Sequence, residues 1–341
     1  MPLSKIKTNS VADEVFEAGS NMLINGAMKV DQRNTTVTTS AYSCDRWFVH
    51  KTNFDELVFA ADQDTTSPDG FSNSLKVAVT TAETALASDE LFYIRYQIEG
   101  QDLQHLNYGT SSAKSVTLSF YVRSSLTGKY SILFFEPTNT RSNTQSFTIN
   151  SADTWEYKTI TIDGDTTGSL TNDNSGQLQF YITLAAGTDY TGTPHSGWGA
   201  YSQTDDYAFS DQVDFSAQTG TFYLTGVQLE VGEQATPFEV EPFSQTKEKC
   251  MRYFQRIDLP QWYHNTLGAT HIYHTERLAV EMRASGTGTV HTTLRYWTGG
   301  GAANINPSLA NYYDRVRIQT QAGISNGNGF VDGQINLDAE L

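Results

Sequence analysis

Four of the seven histidines lie close together near the end of the sequence. Imidazoles that converge on one point can bind a transition metal. However, His271 and His274 are an odd number of positions apart, so on a strand they face opposite sides. We therefore expect ordinary surface or hydrogen-bonded histidines and no metal site. The four residues are His264, His271, His274 and His291.

Carboxylates are the other abundant reactive groups. A glycosidase needs only two of them, about 5 to 9.5 Å apart. Because the chain contains 38 acidic residues, chance pairs are common, and a sequence does not reveal their separation. We find no phosphate-binding loop, no zinc signature and no recognisable spacing of Cys and His. We therefore expect a protein that is not an enzyme.

Several predicted turns are rich in Asp and Asn, whose oxygen atoms are the ligands that calcium prefers. None of them completes an EF-hand loop, and turn geometry alone explains these residue types. We expect no cofactor, with a structural calcium ion as the alternative. The turns contain Asp62, Asp64 and Asp69, then Asp163 and Asp165, then residues 172–174.

Residues 185–219 form a long stretch in which aromatic residues stand among Gly, Ser, Thr and Asp. A loop of this length in a compact domain is usually functional or disordered. Its rings can stack on sugars, contact a neighbouring subunit or hold the loop onto its own domain. All three alternatives remain open at this stage. The candidate ligand contacts are Tyr190, Trp198, Tyr201 and Tyr207.

A second aromatic group lies near the C-terminus. Tyr296 and Trp297 stand beside the glycines 299–301, which favours their exposure, so we include both as candidate ligand contacts. The alternative is that they pack in a core or in an interface between subunits.

The composition is typical of β-sheet proteins. A length of 341 residues favours two compact bodies. The net charge of -16 argues against a nucleic-acid partner, because phosphate binding needs clustered Lys and Arg. No apolar run is long enough for a membrane span or an export signal. Cys44 and Cys250 have no disulfide or metal spacing, so we expect free, buried thiols and assembly in a reducing cytoplasm.

Alternation of apolar and polar residues predicts a series of short strands. The clearest example is residues 115–124, where every second residue is apolar. Short strands separated by turn signals imply an antiparallel sandwich. Further strands are predicted at residues 130–135, 146–149, 155–162, 178–184 and 221–231.

The last of these strands contains a change of phase. Phe222 and Leu224 share one face, whereas Val227 and Leu229 continue the apolar set shifted by one residue across Gly226. One extra residue at a glycine predicts a β-bulge.

After this strand, residues 244–256 are predicted to be helical. Ser244 can cap the helix, and Cys250, Met251 and Phe254 have helical spacing. After Pro260 a second β region begins, in which Leu278, Val280 and Met282 alternate.

Several stretches together resemble a group of phage tail-fibre and related virion proteins. They are SNMLINGAMKVDQR at 20–33 with SCDRWFVH at 43–50, LTGVQLEVGEQATPFE at 224–239, and KCMRYFQR at 249–256. In that group, a jelly roll similar to a carbohydrate-binding module precedes a small β domain. The resemblance covers roughly residues 18–341.

The resemblance implies an all-β chain in four parts. They are an N-terminal virion-docking leader at 1–17, an antiparallel jelly-roll β-sandwich at 18–245, a connecting helix at 246–258 and a distal β domain at 259–341. The implied function is that of a fibre subunit in the virion. It forms a homotrimer, is held by its N-terminus and presents its β domains to a host-surface glycan. The alternative is a head fibre, a decoration protein or an adaptor with a structural role.

The leader is polar and cannot form a core alone, so we expect its apolar residues to be buried against another virion protein. These residues are Ile6, Val11, Val15 and Phe16.

In a jelly roll the first and last strands can pair. We therefore also expect Arg46 and Glu230 to form a structural ion pair that joins the two ends of the domain, with Trp47 packed beneath them.

Overall fold

The structure is a computed structural model that describes residues 21–259, 264–265, 271–298, 301–305, 307–321 and 328–341. The chain divides into two compact units, Met1–Pro242 and Phe243–Leu341. Both are built mainly from antiparallel strands, with few helices. This confirms the predicted all-β class.

In the described part of the first unit, the strands form a seven-stranded sheet, a five-stranded sheet and a small parallel pair of β11 with β13. The seven-stranded sheet has the order β1-β2-β5-β10-β7-β8-β12, and the five-stranded sheet has the order β3-β4-β14-β6-β9. The strands are β1 Ala41–Tyr42, β2 Phe48–Thr52, β3 Val58–Asp64, β4 Ser74–Thr81, β5 Leu91–Glu99, β6 Val116–Ser124, β7 Gly128–Glu136, β8 Arg141–Ile149, β9 Glu156–Ile162, β10 Gly176–Ala186, β11 Thr191–Gly192, β12 Gly199–Ala200, β13 Ala208–Phe209 and β14 Gly220–Val231.

A short helix α1, Gln203–Asp206, and three 3-10 turns complete this unit within the described residues. The turns are Gly100–Asp102, Gln104–Leu106 and Phe215–Ala217.

The core of the first unit lies between the two sheets. Along β5, Phe92, Ile94, Tyr96 and Ile98 all point inward and are buried. Because side chains alternate along a strand, the residues between them point to the outer face of the seven-stranded sheet. That outer face carries the candidate site.

The predicted bulge in β14 is confirmed. The pairing of β14 with β6 shifts between Thr225 and Gln228, and Gly226 has a φ of 60°, in the left-handed region. The extra residue keeps Leu224 and Val227 on the same buried side. The sequence pattern therefore predicted the correct position and cause of the bulge.

The start of the described chain closes the domain by running beside β14. Met22 N donates to Leu229 O at 2.9 Å, and Val227 N donates to Gly26 O at 2.9 Å. The Asn21 side chain also accepts from Leu229 N at 3.1 Å. Backbone hydrogen bonds thus join the two ends of the domain.

The predicted ion pair between Arg46 and Glu230 is wrong. Arg46 precedes β2, in the seven-stranded sheet, and donates to Gln97 O at 2.6 Å. Glu230 lies in the five-stranded sheet, where its carboxylate accepts from Gln228 and Thr236. The two residues therefore belong to opposite layers of the sandwich.

Trp47 is buried as predicted, but not beneath such a pair. Its ring packs on Tyr96 with 4.8 Å between centroids.

The second unit contains helix α2 and, among the described residues, strands in two sheets. One sheet has the order β15-β22-β18-β19, with β16 also pairing β22, and the other has the order β17-β21-β20. The elements are α2 Phe243–Met251, β15 Phe254–Leu259, β16 His264–Asn265, β17 His271–Arg277, β18 Thr287–Thr298, β19 Gly301–Ile305, β20 Pro307–Asn311, β21 Arg315–Gln321 and β22 Asn328–Asp338.

Two local predictions in the second unit are wrong. The predicted helix ends at Met251, and Phe254 begins a strand that pairs with Asp338 of β22. A long-range pairing thus overrides the local helical spacing. The alternating residues Leu278 and Met282 lie in an irregular segment after β17, where Met282 belongs to the core of this unit and Leu278 packs against it.

Cys44 and Cys250 are both buried and form no disulfide with each other, as predicted. Burial and three nearby carboxylates, those of Asp31, Asp45 and Asp62, raise the pKa of the Cys44 thiol well above its ordinary value. Of the helices in the described residues, none has the length and apolar character needed to cross a membrane.

Candidate ligand-binding face

A patch of aromatic and amide side chains covers the outward side of β2, β5 and β10, and we name it the aromatic face. Strand pairing fixes its layout. Arg95 on β5 lies opposite Phe48 on β2 and Tyr181 on β10, while Tyr93 lies opposite His50. The aromatic face consists of Phe48, His50, Tyr93, Arg95, Gln97, Gln179 and Tyr181.

The rings of this face form a row of nearly parallel planes. Phe48 and His50 lie 6.1 Å apart at 26°, and His50 and Tyr93 lie 4.7 Å apart at 24°. Tyr207, from the loop after β10, extends the row by stacking on Tyr93 at 6.1 Å and 22°. The row gives the sheet a continuous apolar strip with polar ring atoms at its edges.

Arg95 occupies the middle of the face and is half-buried. Its Cζ atom lies 4.8 Å from the centroid of the Phe48 ring, a cation–π geometry. Its Nε atom is buried without a hydrogen-bond partner among the described residues.

The amides form the next row along the sheet. Gln97 on β5 lies opposite Gln179 on β10. The Tyr181 hydroxyl donates to Gln179 Oε1. Both amide side chains are largely buried, at 8% exposure each, so this row borders the rings and can exchange hydrogen bonds with a polar ligand only through the amide atoms that reach the surface.

Burial determines the protonation states of the titratable rings. It raises the pKa of both Tyr93 and Tyr181 above the ordinary value. Burial, and then the Arg95 charge, lower the pKa of His50. All three rings are therefore neutral at neutral pH, and Arg95 carries the positive charge of the face.

The predicted ligand tyrosines lie in the loop between β10 and β14, and they pack on their own domain. Tyr190, Tyr201 and Tyr207 are half-buried against Leu133 and Tyr181 on the same outer sheet face. The alternatives were sugar stacking, contact with a neighbouring subunit and packing on the loop's own domain. The contacts of these tyrosines are of the third kind. Of these tyrosines, Tyr207 borders the aromatic face through its stacking on Tyr93.

A buried aspartate anchors this loop to β8. The Asp206 carboxylate accepts from Ser142 Oγ at 2.8 Å and from Ser202 N at 2.6 Å. Its backbone oxygen accepts from Thr144 Oγ1 at 2.6 Å. The loop therefore covers one part of the outer sheet surface and forms a wall beside the aromatic face.

Trp198 holds a different end of the loop. Its indole Nε1 donates to Asp163 O at 2.7 Å, and its ring meets the Tyr108 ring edge-on at 5.9 Å. With its only polar group satisfied internally, Trp198 contributes to loop attachment and lies outside the aromatic face as defined.

Two other groups of predicted residues lie partly or wholly outside the described residues. The backbones of Tyr296 and Trp297 lie in β18, paired with β19 and β22, and their exposure stays a prediction. The docking residues Ile6, Val11, Val15 and Phe16 lie outside the described residues.

Two of the three acidic turns that suggested calcium contain an aspartate with a basic partner. Asp64 pairs with Lys76 at 3.2 Å, and Asp165 pairs with Arg141. In the ranges that the structure describes, no group of three or more His, Cys, Asp or Glu residues is arranged to bind a metal. His291, the predicted histidine whose side chain is described, is exposed and lies 3.4 Å from the Asn336 amide.

Burial and the nearby Asp165 raise the pKa of the Glu136 carboxyl to about 7, a value suited to a general acid. Its side chain is fully buried at the end of β7, so it does not reach a substrate at the surface. A separate cleft of about 920 Å³ lies between residues 107–115 and 231–236, but no aromatic ring lines it.

Sequence reasoning missed the centre of the face. Phe48, His50 and Arg95 were not among the predicted contacts, although β5 reads LFYIRYQIE. In that strand Phe92, Ile94, Tyr96 and Ile98 point inward, and Tyr93, Arg95 and Gln97 stand on the opposite face. That pattern was the available signal, because alternation along a strand places a ring, a guanidinium and an amide side by side on one face.

No protein-family model matches the sequence, and no curated protein sequence is similar to it. Solved structures with a similar arrangement share little sequence. A domain described as enzymatically active in bacteriophage CBA120 tailspike protein 4 aligns with 62% of this chain at 12% identity and a TM-score of 0.35. The aligned part of this chain spans only 21% of the length of the tailspike domain.

Two carbohydrate-binding modules are similar over nearly their whole length. The family 11 module of a cellulosomal cellulase from Clostridium thermocellum is 12% identical, with a TM-score of 0.29, and 60% of this chain covers 98% of that chain. A xylan-binding domain from Paenibacillus barcinonensis is 10% identical, with a TM-score of 0.28, and 64% of this chain covers 99% of that chain. Similarity at this level concerns the class of fold and says nothing about a ligand.

Proposed function

We propose that the protein binds saccharides through the aromatic face and does not cleave them. The observation that carries the proposal is the row of Phe48, His50 and Tyr93 beside a guanidinium and two amides on one outward sheet surface. Sugars present apolar C–H surfaces and many hydroxyls at once. A face that joins rings to hydrogen-bonding groups matches both features.

Two further observations support a binding role for this surface. Phe48, His50 and Arg95 remain half-buried at the open side of the face, while the loop that contains Tyr207 forms a wall on its other side. A bounded, partly apolar strip of this kind suits an elongated ligand such as a glycan chain.

The proposal of binding without cleavage is supported by the position of the carboxyl groups. Glu136 has a pKa near neutrality but is fully buried, and the aromatic face itself contains no carboxylate. Incubation with any bound glycan should release no reducing sugar ends, and release by the intact protein would contradict this part of the proposal.

A glycan array probed with the full-length protein tests the binding proposal. We expect Phe48→Ala and His50→Ala to weaken binding to every positive glycan by about tenfold or more, since each removes a ring from the row. Tyr157→Ala is the matched control, because Tyr157 is 46% exposed on the other sheet. Thermal unfolding of each variant checks that the fold is retained. Absence of binding to any glycan in any format would overturn the proposal.

We also propose that the protein is a fibre subunit of a phage virion, a homotrimer held by residues 1–17 and facing a host-surface glycan. The support is the sequence resemblance described above, together with the fact that many weak copies gain avidity on a surface. The alternative is a head fibre, decoration or adaptor protein with a structural role. Deletion of residues 1–17 should abolish incorporation into particles while leaving the trimer intact, and electron microscopy of the particle would locate the subunit.

A further inference from the structure

We infer that the saccharide recognised by the aromatic face carries an anionic group, a carboxylate or a sulfate, that binds Arg95. This inference rests on the proposed function and specifies its ligand class. It is carried by the position of Arg95 in the middle of the face and by its lack of an acidic partner among the described residues.

The acidic protein provides carboxylates for other arginines of the same unit. Arg33 lies 3.6 Å from Asp45, and Arg141 pairs with Asp165. Arg123 lies 3.5 Å from Asp153 on the other sheet. Within the described part of the chain, no carboxylate lies within ion-pair distance of Arg95, although the net charge is -16.

The surroundings of Arg95 leave a specific gap in its hydrogen bonding. Nε is buried and has no partner among the described residues, and a buried donor without a partner is costly. The Phe48 ring beneath the guanidinium compensates part of the charge through its π face. The Tyr181 hydroxyl is hydrogen-bonded to Arg95, but no described residue supplies an acceptor to Nε, on the edge of the guanidinium where a carboxylate or sulfate can bind.

The neighbouring groups fit the rest of a sugar. Gln97 follows Arg95 on the outward side of β5, and Tyr93 precedes it on the same side. An anion held by Arg95 would therefore place sugar hydroxyls near the amide row on one side and near the ring row on the other. Arg95 would thus recognise the charged substituent, and its neighbours would contact the sugar ring.

Matched probes test the inference. Oligogalacturonates and heparin oligosaccharides supply carboxylates and sulfates, and their carboxyl-reduced and desulfated derivatives remove each anion from the same backbone. Of the two acidic probes, we consider the one that binds more tightly. Its derivative without the anion should bind about tenfold or more weakly in calorimetry, the size expected for a charge-assisted bidentate contact. Comparison of the carboxyl-reduced with the desulfated derivatives shows whether the protein recognises the carboxylate or the sulfate.

Variants assign the effect to Arg95. Arg95→Met should lose about tenfold or more in affinity for the acidic probe and should lose much less affinity for the neutralised probe. Arg95→Lys should recover part of the loss, because it keeps the charge but not the planar fork. Arg123→Met is the control, since Arg123 lies over the Tyr223 ring on the opposite sheet, and it should bind all probes normally.

A second readout uses His50, which lies on the same face. Neutralisation of Arg95 by a bound anion should raise the pKa of His50, measured by NMR, whereas a neutral sugar should leave the Arg95 contribution unchanged. Equal binding of acidic and neutral probes with no effect of Arg95→Met would overturn the inference and leave saccharide binding standing. Absence of binding to acidic and neutral saccharides alike would overturn both.

Discussion

The imidazole of His50 is stacked on the ring of Tyr93, with 4.7 Å between their centroids and 24° between their planes. Burial in this stack, and then the charge of Arg95, lower the pKa of His50. We predict that His50 titrates below 6.5 in an NMR titration, with His50→Gln used to assign its signal. The folded state then binds fewer protons, so stability falls as the pH drops from 6.5 through the folded pKa.

Arg95→Met separates the two causes of this shift. Loss of the Arg95 charge should raise the pKa of His50 without restoring the ordinary value, because burial is the larger cause. A His50 pKa that stays constant in Arg95→Met would show that the guanidinium does not act on the ring.

We predict that Gly226→Ala destabilises the protein. A Cβ atom at this position would lie 2.6 Å from Phe71 Cζ, and the φ of Gly226 is 60°. The Phe71 ring lies between the rings of Tyr121 and Phe238, with centroid distances of 5.4 and 5.1 Å, so it has little room to move. Gly70→Ala is the control, since its φ is 90° and nothing lies within 4 Å of the added atom.

In urea unfolding, both glycine variants should lose about 1 kcal/mol from backbone strain, and Gly226→Ala should lose roughly 1–2 kcal/mol more from the steric clash. Equal losses in the two variants would contradict the role assigned to Phe71.

The bulge shows which features the sequence predicts well. The phase change across Gly226 is local, and every residue that decides it lies within one strand. The strands at 116–124 and 220–231 were predicted for the same reason, because one buried face imposes a period of two. The prediction of where helix α2 ends was wrong because Phe254 pairs with Asp338, in a strand more than 80 residues away.

The candidate site depends on contacts between distant strands. Phe48, Arg95 and Tyr181 become neighbours through the pairing of β2, β5 and β10, and no single segment contains that relationship. The loop aromatics were recognised from composition, but composition does not show which way a ring faces. Trp198 was therefore predicted to contact a ligand, whereas its indole N–H donates to Asp163 O within the domain.

We predict that stability depends on Glu136 across the neutral pH range. Burial and the charge of Asp165 raise its pKa from 4.5 to about 7. The folded state therefore holds this proton more tightly than the unfolded state. Its contribution is fully present below pH 4.5, declines as the pH rises, and is lost above about pH 7. A shift of this size corresponds to on the order of 3 kcal/mol for an isolated group.

Glu136→Gln tests the assignment, because the amide is nearly isosteric and does not titrate. The difference in unfolding free energy between this variant and the unmodified protein should change between pH 5 and pH 8, with the variant relatively more stable at pH 8. Glu156→Gln is the control, since desolvation of Glu156 is outweighed by hydrogen bonds from Lys158, Ser151 and Asn150, which hold that pKa at about 2. Glu156 is therefore charged in both states between pH 5 and pH 8, and the difference for Glu156→Gln should stay nearly constant over that range and change only at lower pH. A pH-independent difference for Glu136→Gln would show that Glu136 is already charged in the folded state at pH 5.

We predict that Asp206→Ala loosens the loop that walls the aromatic face. The carboxylate accepts from Ser142 Oγ and Ser202 N, and its removal leaves both donors without that acceptor in a buried place, at a cost of about 1–3 kcal/mol. Hydrogen exchange should therefore speed up in residues 187–213. Because Tyr207 follows Asp206 directly and stacks on Tyr93, saccharide affinity should fall as well. Asp211→Ala, which removes an exposed partner of Lys129, should change neither property, and unchanged exchange in Asp206→Ala would show that other contacts hold the loop.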